Sequence, residues 1–164
     1  MGKLWQKDYS LDGLMEEFTV GNDYLLDRNL VTADCLASIA HARTLHRASL
    51  LTTEELESLE QSFSDILVLQ KNGQFDISVA DEDCHTAIEA YLTKHVGEAG
   101  KKIHTGRSRN DQVQTALRLW MREFLLHVAA QTALLADDLF ALAKEHEFVP
   151  MPGRTHMQLA MPSS

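Results

Sequence analysis

Lys101-Lys102-Ile103-His104-Thr105-Gly106-Arg107-Ser108-Arg109-Asn110-Asp111-Gln112-Val113-Gln114-Thr115-Ala116-Leu117-Arg118-Leu119-Trp120 is the stretch that decides the fold. A polar, glycine-containing turn feeds directly into a long apolar-periodic run. Thr105, Ser108 and Asn110 are favourable N-cap residues, so a helix is expected to begin beside Ser108. No Gly or Pro occurs from Asn110 to His146, which allows a helix of roughly 55 Å at the standard rise. Lys101, Lys102, Arg107 and Arg109 crowd its start, where the macrodipole and free N–H groups are already positive. Folding alone would favour acids there. Guanidinium groups, amide donors and a positive helix end at one point describe a receptor for carboxylates or phosphates. The plainer alternative is a solvated basic turn balanced by Asp111 and distant acids.

Further along this helix, Val113, Leu117, Trp120, Phe124, Val128, Thr132, Leu135, Leu139 and Leu142 recur at spacings of three and four, while Leu119, Leu125, Leu126 and Leu134 fall off that seam. Apolar residues on several sides imply burial among several helices. The remaining partners are expected from further sequence, from other subunits, or from both. Glu147-Phe148-Val149-Pro150-Met151-Pro152-Gly153 then breaks the helix and delivers Thr155-His156.

Upstream, a first helix is expected from Thr32 to Ala48 with Leu36, Ile39, Ala40 and Leu45 as its apolar set. Thr52 and Glu55 spell a capping box that opens a second helix carrying Leu56, Leu59, Phe63, Ile66 and Leu67, which Asn72-Gly73 stops. A third is expected from Asp81 to before Gly97, with Cys84, Ile88, Tyr91, Leu92 and Val96 buried and Asp81, His85 and Glu89 on an adjacent polar face. Glu82-x-x-His85 matches half of a di-iron helix motif, but no second Glu-x-x-His follows, so no metal site is expected. Acids capping a helix start are the simpler account of Asp81, Glu82 and Asp83.

The 164 residues carry a formal charge of −9, which argues against a general nucleic-acid binder, and 45% apolar residues, enough for a packed core. Two distant cysteines give neither a disulfide framework nor a zinc pattern. No basic-then-apolar leader opens the chain and no uncharged run reaches membrane-spanning length, so a cytoplasmic protein without membrane partners is expected.

His104-Thr105-Gly106-Arg107-Ser108-Arg109-Asn110-Asp111-Gln112-Val113 resembles the hallmark of argininosuccinate lyases, members of the fumarase/aspartase superfamily related to the delta-crystallins of the lens. Asp81-Glu82-Asp83-Cys84-His85-Thr86-Ala87-Ile88-Glu89 and Met151-Pro152-Gly153-Arg154-Thr155-His156-Met157-Gln158 agree, in family order, so the resemblance covers nearly the whole chain. It implies an all-α fold in which an N-terminal helical domain (residues 1–107, the first 30 or so flexible) leads into the first long helix of a central bundle (residues 108–164). Relatives are a few times longer, so the chain reads as the front part of a homotetrameric enzyme.

The implied reaction is reversible β-elimination of argininosuccinate to arginine and fumarate, with no metal or organic cofactor. By resemblance, Ser108, Arg109 and Asn110 bind substrate carboxylates, Arg107 orients them, and Thr155 bonds the fumarate moiety. Asp83 and His85 border the site. His156 takes part in proton transfer, as base or as the group that tunes it. The family's Gly-Ser-Ser loop with its catalytic serine is not spelled in these residues, so the chain alone is expected to be inactive. Three departures stand out: Gln6-Lys7 after Leu4-Trp5, Asp23 at a position where many relatives place a serine, and Arg154 where most have tyrosine. The alternatives are a non-catalytic structural protein of delta-crystallin type, another lyase of the superfamily such as adenylosuccinate lyase, and a stand-alone helical interaction module.

Overall fold

The computed structural model describes residues 12–164, apart from the Glu16 side chain; the Leu4-Trp5 segment lies outside the described residues. The chain forms two compact units, one ending at Met121 and one running from Arg122 to Ser164. The fold class is all-α, as the sequence implies, with one small sheet added.

In the first unit, α1 (Gly13–Val20) is capped by Asp12, whose carboxylate accepts the Leu14 and Met15 N–H groups. A short α2 (Asp23–Leu26) and a 3₁₀ turn (Asp27–Asn29) lead into α3 (Val31–Arg47). The capping box opens α4 (Thr53–Lys71) as expected: Thr52 Oγ1 accepts from Glu55 N at 3.2 Å, and Glu55 Oε2 accepts from Thr52 N at 3.0 Å. Gly73, at φ 67°, follows its end.

α3 is displaced in phase from the sequence reading. Leu36 and Ala40 are exposed, while Val31, Asp34, Cys35, Ser38, Ala42 and Leu45 are buried. The buried positions keep a three/four spacing but include two polar residues, which an apolar-only count passes over.

α5 also starts later than expected, at Cys84, and runs to Val96. The residues before it form a separate 3₁₀ turn, Val79–Asp81, because Asp81 Oδ2 accepts both the Ser78 N–H (2.9 Å) and the Ser78 hydroxyl (2.6 Å) and closes that turn on itself. Glu82 then takes φ 67° and Asp83 becomes the N-cap. Asp81 and Glu82 therefore precede the helix and share no helical face with His85, which is 1% exposed and part of the interior.

α3 packs on α4, α4 on α5, and α5 on the five-residue α6 (Glu98–Lys102). Leu59, Phe63 and Ile66 of α4 meet Val31, Cys35, Ala42 and Leu45 of α3 and Cys84, Ile88 and Leu92 of α5 in one apolar cluster. Gly97, at φ 61°, ends α5 and starts α6. Gly100 is needed for contact: a Cβ there would stand 2.7 Å from both Leu92 C and Thr93 N. α7 (Arg109–His146) follows the turn at 103–108, and in the first unit it buries Gln112 and Ala116.

In the second unit the rest of α7 exposes Phe124, Leu125, Leu134, Leu135, Leu139, Phe140 and Leu142. By length and composition α7 holds an 18-residue window apolar enough to cross a membrane. Its longest uncharged run, between Glu123 and Asp137, is shorter than that window, and a bundle helix has the same composition. A hairpin of β1 (Met151–Thr155) and β2 (Gln158–Ser163), absent from the sequence expectation, closes the chain, pairing Thr155 with Gln158 and Pro152 with Pro162.

Gly100→Ala should destabilise the first unit by about 1–3 kcal/mol, the usual cost of forcing an atom into a packed contact, although alanine is the better helix former. A denaturant titration showing unchanged or raised stability would contradict the close approach.

Candidate active site

Between α6 and α7 the turn at 103–108 carries Arg107 and Ser108, and the first turn of α7 carries Arg109 and Asn110. Gly106 takes φ 73°, a conformation that favours glycine, and lets the chain reverse before Ser108. Ser108 caps α7 reciprocally with Asp111: Ser108 Oγ accepts the Asp111 N–H at 3.3 Å, while Asp111 Oδ2 accepts the Ser108 N–H at 2.8 Å. Those bonds hold the Asp111 carboxyl below the usual range. Asn110 lies exposed on the first turn of α7.

Four cations met the helix start in the sequence, and the structure separates them. Lys101 pairs with Glu98 at 2.6 Å, and Lys102 pairs with Glu55 at 2.5 Å. For the lysines the plain reading of a balanced basic turn holds. The arginines differ. Arg107 donates from Nη1 and Nη2 to one neutral acceptor, Ser38 Oγ, at 3.2 Å each. Arg109 donates from Nη2 to Thr86 Oγ1 at 3.1 Å, and its Nη1 stands 3.9 Å from Asp83 Oδ1. Burial pulls the Arg107 pKa down, the Arg109 charge adds to that, and Asp34 and Glu89 oppose it. Asp83 is committed to capping, its Oδ1 accepting the Thr86 N–H at 2.7 Å.

Two histidines brace the turn. His41 Nε2 donates to the Thr105 carbonyl at 3.0 Å, and burial followed by the Arg107 charge lowers its pKa. His104 Nε2 bonds Glu89 Oε2 at 2.7 Å, which holds the Glu89 carboxyl below its ordinary range.

Behind the turn is a polar layer the sequence reading missed. Asp34 is fully buried, and its carboxylate accepts from His85 Nδ1 (2.9 Å), Gln112 Nε2 (3.0 and 2.9 Å) and Ser38 Oγ (3.2 Å). Among the described residues four buried side-chain atoms lack a hydrogen-bond partner: His85 Nε2 and Gln112 Oε1 on the two donors to Asp34, Arg107 Nε beside Ser38, and Arg109 Nη1, 3.9 Å from Asp83. Native interiors leave few such atoms, and a group of them at one place marks a site with bonds still to make. The signal was present in the sequence, since Asp34 and Ser38 sit in phase with Val31, Cys35, Ala42 and Leu45.

Asp27, Cys84 and His85 also offer possible metal-ligand atoms within 4.8 Å of one another. Those atoms have other commitments. Asp27 Oδ2 accepts the Cys84 N–H, His85 Nδ1 bonds Asp34, and burial with the nearby acids pushes the Cys84 thiol up, away from the thiolate a metal needs.

Thr155 and His156 belong to the second unit. His156 and Met157 form the two-residue turn of the hairpin, at φ 49° and 62°. Positive φ at both positions is what a type I′ turn requires, and Asn-Gly is the pair that usually supplies it. Histidine and methionine adopt it here at a conformational cost.

Comparison with known proteins adds to this geometry. A family model described as a lyase matches residues 7–164. The argininosuccinate lyase of Thermotoga neapolitana is 45% identical over 161 residues, covering 98% of this chain and 40% of that protein. Those of Xanthomonas axonopodis pv. citri and Geobacter metallireducens are 41% and 44% identical over 162 residues, covering 98% of this chain and 38% and 35% of theirs. The chain thus spans well under half the length of these curated relatives.

The Glu89–His104 bond gives a pH test. A depressed folded pKa means stability that is fully present above the ordinary glutamate value and lost as pH falls through the depressed one. Glu89→Gln should lower Tm at pH 7, and the gap to the parent should narrow as pH falls below the ordinary glutamate range and close below the depressed value. A gap independent of pH would remove this bond from the electrostatics of the turn.

Proposed function

Because the chain belongs to the lyase family whose model spans residues 7–164, we propose that it supplies the anion-binding part of an argininosuccinate lyase, which splits argininosuccinate reversibly into arginine and fumarate. One observation carries this reading. Two partly buried guanidinium groups stand at the N-terminal end of α7, and no carboxylate lies within hydrogen-bonding distance of either among the described residues. Such a place receives a dicarboxylate: the guanidinium forks match carboxylate geometry, and the helix end adds its N–H groups and dipole.

The elimination needs these groups. A base takes the proton from the carbon beside a succinyl carboxylate, and the electron pair spreads into that carboxylate as an aci-carboxylate. Collapse of this intermediate forms the fumarate double bond and breaks the C–N bond, and the departing guanidino nitrogen takes a proton. Negative charge grows on the carboxylate, so fixed cations and donors there stabilise the transition state more than the ground state. In this reading Arg109, Asn110 and Ser108 hold the carboxylates and Arg107 orients them. Thr155 bonds the fumarate moiety, His156 serves proton transfer, and Asp83 and His85 border the site. The chemistry calls on side chains and backbone donors alone, with no cofactor.

The same reading makes residues 1–107 the N-terminal domain and 108–164 the beginning of a central bundle in a cytoplasmic homotetramer. Its support is the apolar length of α7, whose Phe124, Leu135, Leu139 and Phe140 are each at least half exposed. Such a surface asks for cover from other helices.

Two measurements test the proposal. In the full-length protein, His156→Asn should lower kcat a hundredfold or more, the scale of a lost proton-transfer group, with the melting curve little changed; turnover within a few-fold of the parent would take His156 out of the mechanism. The 164-residue chain by itself should leave a fumarate absorbance assay flat until a fragment bearing the remaining family motifs is added. Steady turnover by the isolated chain would show that its residues suffice and overturn the assignment of roles.

A further inference from the structure

Asp34 has no role in the chemistry described above, yet it is the most enclosed charged residue near the turn, with 0% of its side chain exposed. A carboxylate removed from water persists where protein donors replace that water. Its donors come from three helices: Ser38 on α3, His85 on α5 and Gln112 on α7. We propose that Asp34 is a positioning residue of the dicarboxylate site, fixing the ring of His85, the amide of Gln112 and, through Ser38, the guanidinium of Arg107.

Each hydrogen bond to Asp34 has one possible direction. A carboxylate only accepts, so His85 Nδ1 must carry its hydrogen, and in the neutral ring Nε2 is then a bare acceptor. That Nε2 is buried and has no partner. By the same logic Gln112 must turn its NH₂ toward Asp34, with both contacts near 3 Å, which leaves Oε1 as a second buried, open acceptor. The Ser38 hydroxyl spends its single hydrogen on Asp34 Oδ1, so its lone pairs are free for the two Arg107 contacts. A single acceptor thus sets the polarity of three side chains and, at one remove, the seat of an arginine. His85, Gln112 and Arg107 each retain a buried atom without a hydrogen-bond partner among the described residues. A group serving only to hold helices together has no reason to leave its immediate partners unsatisfied, whereas a group that aims them does.

The kinetic consequence rests on the lyase reading; the tautomer of His85 does not, and this separates the two. In the full-length protein, long-range proton–nitrogen NMR of the imidazoles should show His85 with hydrogen on Nδ1. In Asp34→Asn the ring should pass to the Nε2–H form or a mixture, because the asparagine NH₂ can now donate to Nδ1. With argininosuccinate, Asp34→Asn should lower kcat by at least about tenfold, the scale of a lost hydrogen bond to a charged group. Ser38→Ala should raise the inhibition constant of succinate, a simple dicarboxylate, by a similar factor through the loosened Arg107. Ile66→Val, in the same core but outside the polar layer, should lower Tm without changing kcat or succinate binding.

Asp34→Asn and Ser38→Ala variants that melt lower but keep parental kcat, succinate affinity and His85 tautomer would reduce Asp34 to a fastening between helices and overturn the proposal. If Asp34→Asn does not fold, Ser38→Ala decides by succinate affinity alone. If the parent shows no turnover, the lyase reading falls; a changed tautomer with weakened succinate binding still supports the positioning role, and unchanged values defeat it.

Discussion

Water cannot reach the Asp34 carboxylate, and so its hydrogen-bonding needs become instructions to the helices around it. Each donor must arrive at about 3 Å with its hydrogen pointing inward, which fixes helix rotation as well as separation. Apolar contacts among Leu59, Phe63, Ile88 and their neighbours tolerate small rotations; the polar layer does not. The two kinds of contact divide the task. The apolar cluster supplies most of the free energy that brings α3, α4 and α5 together, and Asp34 with its partners selects one arrangement of α3, α5 and the first turns of α7. The turn at 103–108 rests on that arrangement, so the aim of Arg107 depends on a residue far from it in sequence.

The electrostatic setting is uneven. The chain carries a net charge of −9, a poor long-range attractor for a dicarboxylate. Near the turn the charges are closely interleaved. Glu55 and Glu98 pair with the lysines, whereas Arg107 and Arg109 donate to neutral hydroxyls, with Asp83 3.9 Å from Arg109 and with Asp34 and Glu89 acting on Arg107. The local field is therefore set at short range by two guanidinium groups and a helix end together with these carboxylates.

Much of this was legible in the residues because local chemistry controls it. Thr52 and Glu55 start α4, Asn72-Gly73 ends it, and a gap free of Gly and Pro gives α7 its length. That Arg107 and Arg109 stand at the start of α7 could be read from cations placed against a helix dipole. What escaped is what depends on tertiary structure. The phase of α3 departs from its hydropathy pattern because Asp34 and Ser38 are buried by their partners and not by their own hydropathy, while Leu36 and Ala40 face outward. α5 starts later than its run of acids suggests because Asp81 turns back on Ser78. The hairpin stayed hidden because its turn is His156-Met157, where the pattern for two positive φ values calls for asparagine and glycine.

That turn has an evolutionary consequence. Under the proposed mechanism, folding and chemistry make opposite demands on residue 156, since a glycine would relax the backbone while histidine gives the loop a group that can carry a proton. The sequence there sits away from its folding optimum. In a duplicated copy released from catalytic selection, drift toward greater stability would be rewarded at this position early. Loss of the histidine would then follow from selection for a more durable protein, with no selection against the reaction itself.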